Sequence, residues 1–171
     1  MDSIDPHFGV DITDPKFKAE YVPLMPLVLH FQRLPHAGDL PLPSRAKPGD
    51  AGLDLCSAVD AIVHMPDGVT MIPTGFAMAI PAGHVGLIMP RSGLATKHGI
   101  TLANSVGVVD SGYRGEIIVA LKNGGPRDFE VRRGERIAQL LVMPFAIFEN
   151  VEVEALDETE RGQGGFGSTG G

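Results

Sequence analysis

A chain of 171 residues, 43% of them hydrophobic, is long enough for one domain with a sizeable core and too apolar to be disordered. Its formal net charge of −7 argues against a nucleic-acid or anionic-membrane surface, so an anionic ligand would have to be held by local cations. No stretch approaches the roughly 18 continuous apolar residues of a membrane span. Residues 1–26 are polar, broken by Pro6, Pro15, Pro23 and Pro26, and read as a poorly ordered N-terminal extension. Asp2, Asp5, Asp11 and Asp14 fit neither a signal nor a transit peptide. The expected location is therefore cytoplasmic, with nucleus or organelle open for a eukaryotic source. Cys56 is the single cysteine, which suits a reducing compartment. Beside Leu55 it reads as a small core residue rather than a catalytic thiol.

From Leu27 the texture changes to short β-rich runs: 28–34, 61–65, 69–72, 75–80, 85–89, 117–121, 136–142 and 151–156. Turn signals separate them, among them Pro66-Asp67-Gly68, Pro81-Ala82-Gly83, Ser111-Gly112 and Asn123-Gly124-Gly125-Pro126. Only Ser92–His98 reads as a short helix. Many short strands with regular turns predict an all-β sandwich or barrel, as one domain over 27–158. The last residues, 159–171, are so rich in glycine that composition alone reads as a flexible arm. Within it, Arg161 suits bidentate phosphate contacts and Phe166 offers a flat face to a ring.

Four further segments interrupt the strands. Asp54 lies between Leu53 and Leu55, so it faces away from the core, toward solvent or a site. Arg91-Ser92-Gly93 follows an apolar run. It reads both as the cap of the short helix and as an anion pocket, and the two are compatible. Residues 104–116 read as a strand over Val106–Val109, a hairpin turn at Ser111-Gly112 and a return from Glu116. A hairpin edge offers backbone donors and acceptors to a nucleobase, and Asp110 at the turn suits accepting a proton from water. Gln139 is polar within an apolar strand and needs a hydrogen-bond partner, structural or ligand. Glu135 and Arg136 read as partners of each other or of a neighbour. The cations near glycine are Arg91, Arg114, Arg133, Arg136 and Arg161. The six histidines show no metal-ligand spacing.

Taken in order, these five segments resemble the five motifs of the trimeric dUTP diphosphatases (dUTPases) from about Val28 to Gly170. The patterns GVVDSGYRGE (107–116) and RGQGGFGSTG (161–170) are together the most specific. The resemblance implies a jelly-roll-like, distorted β-barrel and a homotrimer with active sites at subunit interfaces. The flexible C-terminal arm of one chain would fold over a site built by the other two. It implies hydrolysis of dUTP to dUMP and pyrophosphate, limiting uracil incorporation into DNA and supplying dUMP for dTMP synthesis. Asn104, with the backbone around Gly107, Val108 and Val109, would read uracil. Cytosine presents a donor where uracil has an acceptor, which leaves buried groups mismatched. Tyr113 would lie against the deoxyribose and leave no room for a 2′-hydroxyl, and Ile118 would line the nucleoside pocket. Arg91, Ser92, Gly93 and Gln139 would bind the phosphates. Asp54 would place waters of a Mg²⁺ held chiefly by the triphosphate. Arg161 would reach phosphate, Phe166 would stack on uracil, and Gly167, Ser168 and Thr169 would wrap the γ-phosphate. Asp110 would orient and deprotonate the water that attacks the α-phosphorus.

The related dCTP deaminases carry a catalytic Glu on the strand after the hairpin, where this chain has Ala120 in Gly115-Glu-Ile-Ile-Val-Ala120. They also favour a second serine where this chain has Gly93. A non-catalytic binding protein that kept the fold would be expected to lose Asp110 or the arm, and this chain has both.

Overall fold

The computed structural model describes residues 27–64, 67–160 and 162–164. Among these residues ten strands follow one another: β1 His30–Arg33, β2 Leu53–Cys56, β3 Ala61–Val63, β4 Val69–Ala79, β5 His84–Met89, β6 Ile100–Leu102, β7 Gly107–Val109, β8 Glu116–Asn123, β9 Phe129–Val131 and β10 Arg136–Pro144. A 3-10 turn at Pro35–Ala37 follows β1, and one helix, α1 Ser92–His98, lies between β5 and β6. The strands form two four-stranded sheets, ordered β1-β4-β8-β6 and β2-β10-β5-β7, and a β3-β9 pair. All the described pairings are antiparallel. This is the all-β architecture expected from the turn spacing.

Side-chain alternation makes the core. In β8, Ile117, Val119 and Leu121 are buried, while Ile118 faces out. In β2, Leu53 and Leu55 are buried, while Asp54 and Cys56 lie on the other face. One cluster joins both large sheets, with Ile72, Met78, Ile117 and Leu121 from one and Leu55, Ile88, Val109 and Leu140 from the other. Each fully buried aliphatic side chain of this kind contributes about 1.5–3 kcal/mol.

Three expectations about strands need correction. Residues 69–72 and 75–80 are not two strands; β4 runs through Pro73-Thr74-Gly75 as one, with its register against β8 shifting between Pro73 and Ala77. Proline is tolerated at such a bulge because no ladder bond is required of it. The interrupted ladder is made good by side chains: Thr74 Oγ1 donates to the Ile117 carbonyl at 2.7 Å, and the Gly75 N–H donates to Glu116 Oε1 at 2.7 Å. Second, β7 and β8 are not a hairpin. β7 pairs with β5 and β8 with β4 and β6, so residues 110–115 carry the chain from one sheet to the other. Third, Val151–Leu156 forms no strand. It is an exposed segment with no partner strand among the described residues. The helix has the bounds read from the sequence, but Arg91 is its N-cap residue and no side chain caps it; Ser92 is its first residue.

Candidate active site

The end of β5 delivers Arg91 to the start of α1, next to β10 and β2. There a cavity of about 440 Å³ is lined by Asp50, Asp54, Arg91, Ser92, Gly93, Arg136 and Gln139 among others. Asp54 reaches it because β2 alternates: its neighbours Leu53 and Leu55 enter the core. The carboxylate sits between two guanidinium groups. Arg136 Nη1 donates to Asp54 Oδ2 at 3.1 Å, and Arg91 Nε lies 3.8 Å from Asp54 Oδ1. Arg91 Nη1 also donates to the Arg136 carbonyl at 2.7 Å, which ties the helix start to β10. A guanidinium carries five N–H donors, and these contacts engage only part of that capacity. An anion entering the cavity would meet the remainder.

Gln139 finds the partner its position demands: Nε2 donates to the Pro90 carbonyl at 3.0 Å. Its Oε1 occupies the space above Gly52, where a Cβ would lie 2.8 Å away. A side chain at 52 would therefore push Gln139 out of the cavity wall. Five expected site residues, Asp54, Arg91, Ser92, Gly93 and Gln139, share this cavity.

Other expected residues lie elsewhere. Asn104, Gly107, Val108, Val109 and Asp110 sit on or beside β7, the outer strand of the sheet β2-β10-β5-β7. Gly107 and Val109 face inward, while Val108 is exposed. The turn before β7 is tight: the Val106 N–H donates to the Asn104 carbonyl at 2.6 Å, and Ser105 has φ 61°. Beyond β7 the Tyr113 N–H donates to the Asp110 carbonyl at 3.0 Å, which closes a turn and leaves Asp110 exposed. Tyr113 lies in the crossing segment, and Ile118 is on the outer face of the other sheet. None of these residues lines the cavity. Arg161, Phe166, Gly167, Ser168 and Thr169 lie outside the described residues.

Two of the cations near glycine are engaged away from the cavity. Arg133 donates to the carbonyls of His36, Ala37 and Ala58 and to the Asp39 carboxylate. That guanidinium also holds the Asp39 carboxyl below its usual range. Arg114 donates to the carbonyls of Ser111 and Tyr113. Both arginines bind backbone oxygens of residues outside the strands. Sequence reasoning did not single out Asp50, and it named Arg136 only as a cation near glycine and a partner for Glu135; the pairing of β10 with β2, Arg136 opposite Cys56 and Gln139 opposite Asp54, is what brings Arg136 to the cavity. Cys56 is half-buried. Burial pushes its thiol up, and Asp54 acts in the same direction.

The family model described as dUTPase matches residues 39–170. A deoxyuridine 5'-triphosphate nucleotidohydrolase of Nocardia farcinica is 56% identical over 133 residues, 77% of this chain and 80% of that protein. The corresponding protein of Mycolicibacterium vanbaalenii is 54% identical over 153 residues, 86% of this chain and 97% of that one. Among solved structures, Staphylococcus bacteriophage 80alpha dUTPase with dUpNHpp superposes with a TM-score of 0.77 at 29% identity, covering 85% of this chain and 99% of that one. A mutant dUTPase from phage phi11 of S. aureus, described for its coordination of a structural Mg(II) ion, superposes with a TM-score of 0.69 at 25% identity, covering 77% and 100%.

Proposed function

The chain belongs to the dUTPase family, and we propose that it hydrolyses dUTP to dUMP and pyrophosphate by attack of water on the α-phosphorus. The observation that carries the site assignment is the cavity in which Arg91, Arg136 and Gln139 converge beside Ser92 and Gly93. Its two guanidinium groups keep N–H donors beyond those that Asp54 and the Arg136 carbonyl take, and these suit the oxygens of a triphosphate in a protein whose overall charge would otherwise repel one.

Uracil is read at the outer edge of β7, where one side of the strand has no partner among the described residues. Backbone N–H and C=O groups there serve as a base-pairing edge, and Asn104 adds a side-chain amide. Phe166 and Arg161 close from the arm. Asp110 orients a water and takes its proton as the water oxygen bonds to the α-phosphorus. The bond from that phosphorus to the bridging oxygen breaks, pyrophosphate leaves, and no covalent intermediate forms. A carboxylate is a weak base at neutral pH, so placement carries more of the work than basicity.

No group of three or more His, Cys, Asp or Glu able to hold a metal ion occurs among the described residues. The cavity wall instead offers Asp50 and Asp54. Magnesium keeps its waters and takes one or two carboxylates plus substrate phosphates, so this donor set fits an ion carried in by the triphosphate. Asp54 would hold its waters, and the ion when bound would draw charge from the phosphate oxygens.

The cavity residues and the β7 edge do not share one cavity within a chain. That separation supports a homotrimer in which neighbouring copies complete each site. No helix among the described residues is long and apolar enough to cross a membrane. The lone cysteine supports the cytoplasmic location.

The test is pyrophosphate release from dUTP, dCTP, dTTP and UTP, with and without Mg²⁺. A preference for dUTP of at least ~100-fold is expected. Equal rates on the four nucleotides, or ammonia released from dCTP, would overturn the reading.

A further inference from the structure

Tyr113 is 45% exposed, yet its ring is held down. Its hydroxyl donates to the Glu116 carbonyl at 2.9 Å, so the side chain folds back over the backbone of residues 114–116. The anchor is itself fixed. Glu116 Oε1 accepts the Gly75 N–H at 2.7 Å and lies 2.7 Å from His36 Nε2, so β4 and the 3-10 turn both grip the residue whose carbonyl Tyr113 binds. The space taken by the ring is the space a side chain at 115 would need. A Cβ on Gly115 would overlap Tyr113 Oη and lie 2.6 Å from Cζ and 3.0 Å from Cε2. Non-bonded carbons settle at about 3.5–4.0 Å, so ring and Cβ cannot both be present as they stand.

We propose that Gly115 is a specificity-determining residue: its bare backbone lets the hydroxyl end of the Tyr113 ring lie against the 114–116 segment, in the pose that refuses a 2′-hydroxyl. The proposal rests on the reading that Tyr113 faces the deoxyribose, and it places the origin of the sugar discrimination one step further back. The tyrosine alone is insufficient. It must be anchored at Glu116 and seated over a residue without a side chain.

Position 115 separates this role from a structural one. Gly115 has no positive φ, so an alanine backbone is unstrained there. Both Gly115 and Tyr113 are exposed. A new methyl therefore displaces the ring into solvent and leaves the buried core intact. The experiment compares kcat/KM for dUTP and UTP, with thermal melts, in the wild type, Gly115→Ala, Tyr113→Phe and Tyr113→Ala. Gly115→Ala should melt within about 3 °C of wild type. It should raise KM for dUTP more than it lowers kcat, and reduce the dUTP/UTP ratio about tenfold. Tyr113→Phe, which removes only the anchor, should reduce the ratio about threefold. It carries the test if the alanine variant melts early. A wild-type ratio in both Gly115→Ala and Tyr113→Phe, with a collapsed ratio in Tyr113→Ala, overturns the proposal and leaves the sugar-wall reading standing. A wild-type ratio in Tyr113→Ala removes the sugar wall itself, and the proposal with it.

Discussion

At the scale of single residues the site is organised by charge. Asp54 lies between Arg136 and Arg91, and its carboxylate orders two cations that would otherwise repel each other across the cavity. Removing Arg136 would withdraw one proposed phosphate partner and one of the two cations beside Asp54. The Arg136 side chain is 50% exposed, and ion pairs that open to water contribute only about 0–1 kcal/mol to stability. Arg136→Ala should therefore raise KM for dUTP by about tenfold while shifting the urea midpoint little; steady-state kinetics and a denaturation curve on the same preparation check both halves. Asp110 is different in kind. Its carboxylate accepts no hydrogen bond from the described residues and is exposed at its turn, so its substitution should leave the fold and the phosphate contacts untouched. Asp110→Asn should bind a non-hydrolysable dUTP analogue with near wild-type affinity and lose about 10²–10⁴ of kcat. Near wild-type turnover would remove Asp110 from the role of base. Cys56 carries the opposite expectation. With its thiol pushed up by burial, thiolate is scarce at neutral pH, so iodoacetamide should alkylate the native chain much more slowly than the urea-unfolded one.

Elements are held together here by a few buried polar side chains in addition to ladders. Asn123, fully buried at the end of β8, donates through Nδ2 to the carbonyls of Val63 and Arg127, each at 2.8 Å, and accepts the Gly125 N–H through Oδ1. It joins the β3-β9 pair to the large sheet. Asn123→Ala would leave three backbone groups without their partner, and should destabilise the fold by about 2–4 kcal/mol in urea titration. The isosteric Asn123→Leu should be no better, because the backbone groups remain. How much of this was legible in the sequence depended on whether a residue's partner was near in the chain. Strand alternation and Ser92–His98 were local signals and were read. The break at Pro73-Thr74-Gly75 looked like a turn because the groups that bridge it, Glu116 and the Ile117 carbonyl, belong to a distant strand. For the same reason Ser111-Gly112 looked like a hairpin: local composition specifies a turn, but β5 and β4 decide which sheet each flanking strand joins. The site followed the same rule. Asp54, Arg91, Ser92, Gly93 and Gln139 stood out as polar interruptions, whereas Arg136 was one charge beside another until its register against β2 put it in the cavity.

For the whole molecule the question is where one site ends and the next chain begins. Residues 145–156 expose Phe148 at 77%, Ile147 at 83% and Leu156 at 84%, with no partner strand among the described residues. These are large apolar side chains exposed along one segment, and in the proposed trimer they are candidates for burial between copies. The cavity and the β7 edge are separate features of a single chain. In the proposed trimer, Asp110 comes from one copy and Arg161 and Phe166 from another. This has a consequence that a self-contained monomer cannot reproduce. A full-length Asp110→Asn chain and a chain lacking residues 161–171 should each be nearly inactive alone, since one lacks the base and the other the closure. Co-refolded at equal concentration, they should assort at random into closed rings. About a quarter of the sites would then draw a wild-type Asp110 from the truncated chain and a wild-type arm from the full-length one. Pyrophosphate release from dUTP should recover to that level and should disappear when the two proteins are mixed without unfolding, if exchange between assembled rings is slow. A mixture that stays inactive after co-refolding, with both chains shown to enter the same assembly, would mean that each chain supplies its own Asp110 and its own arm to one site.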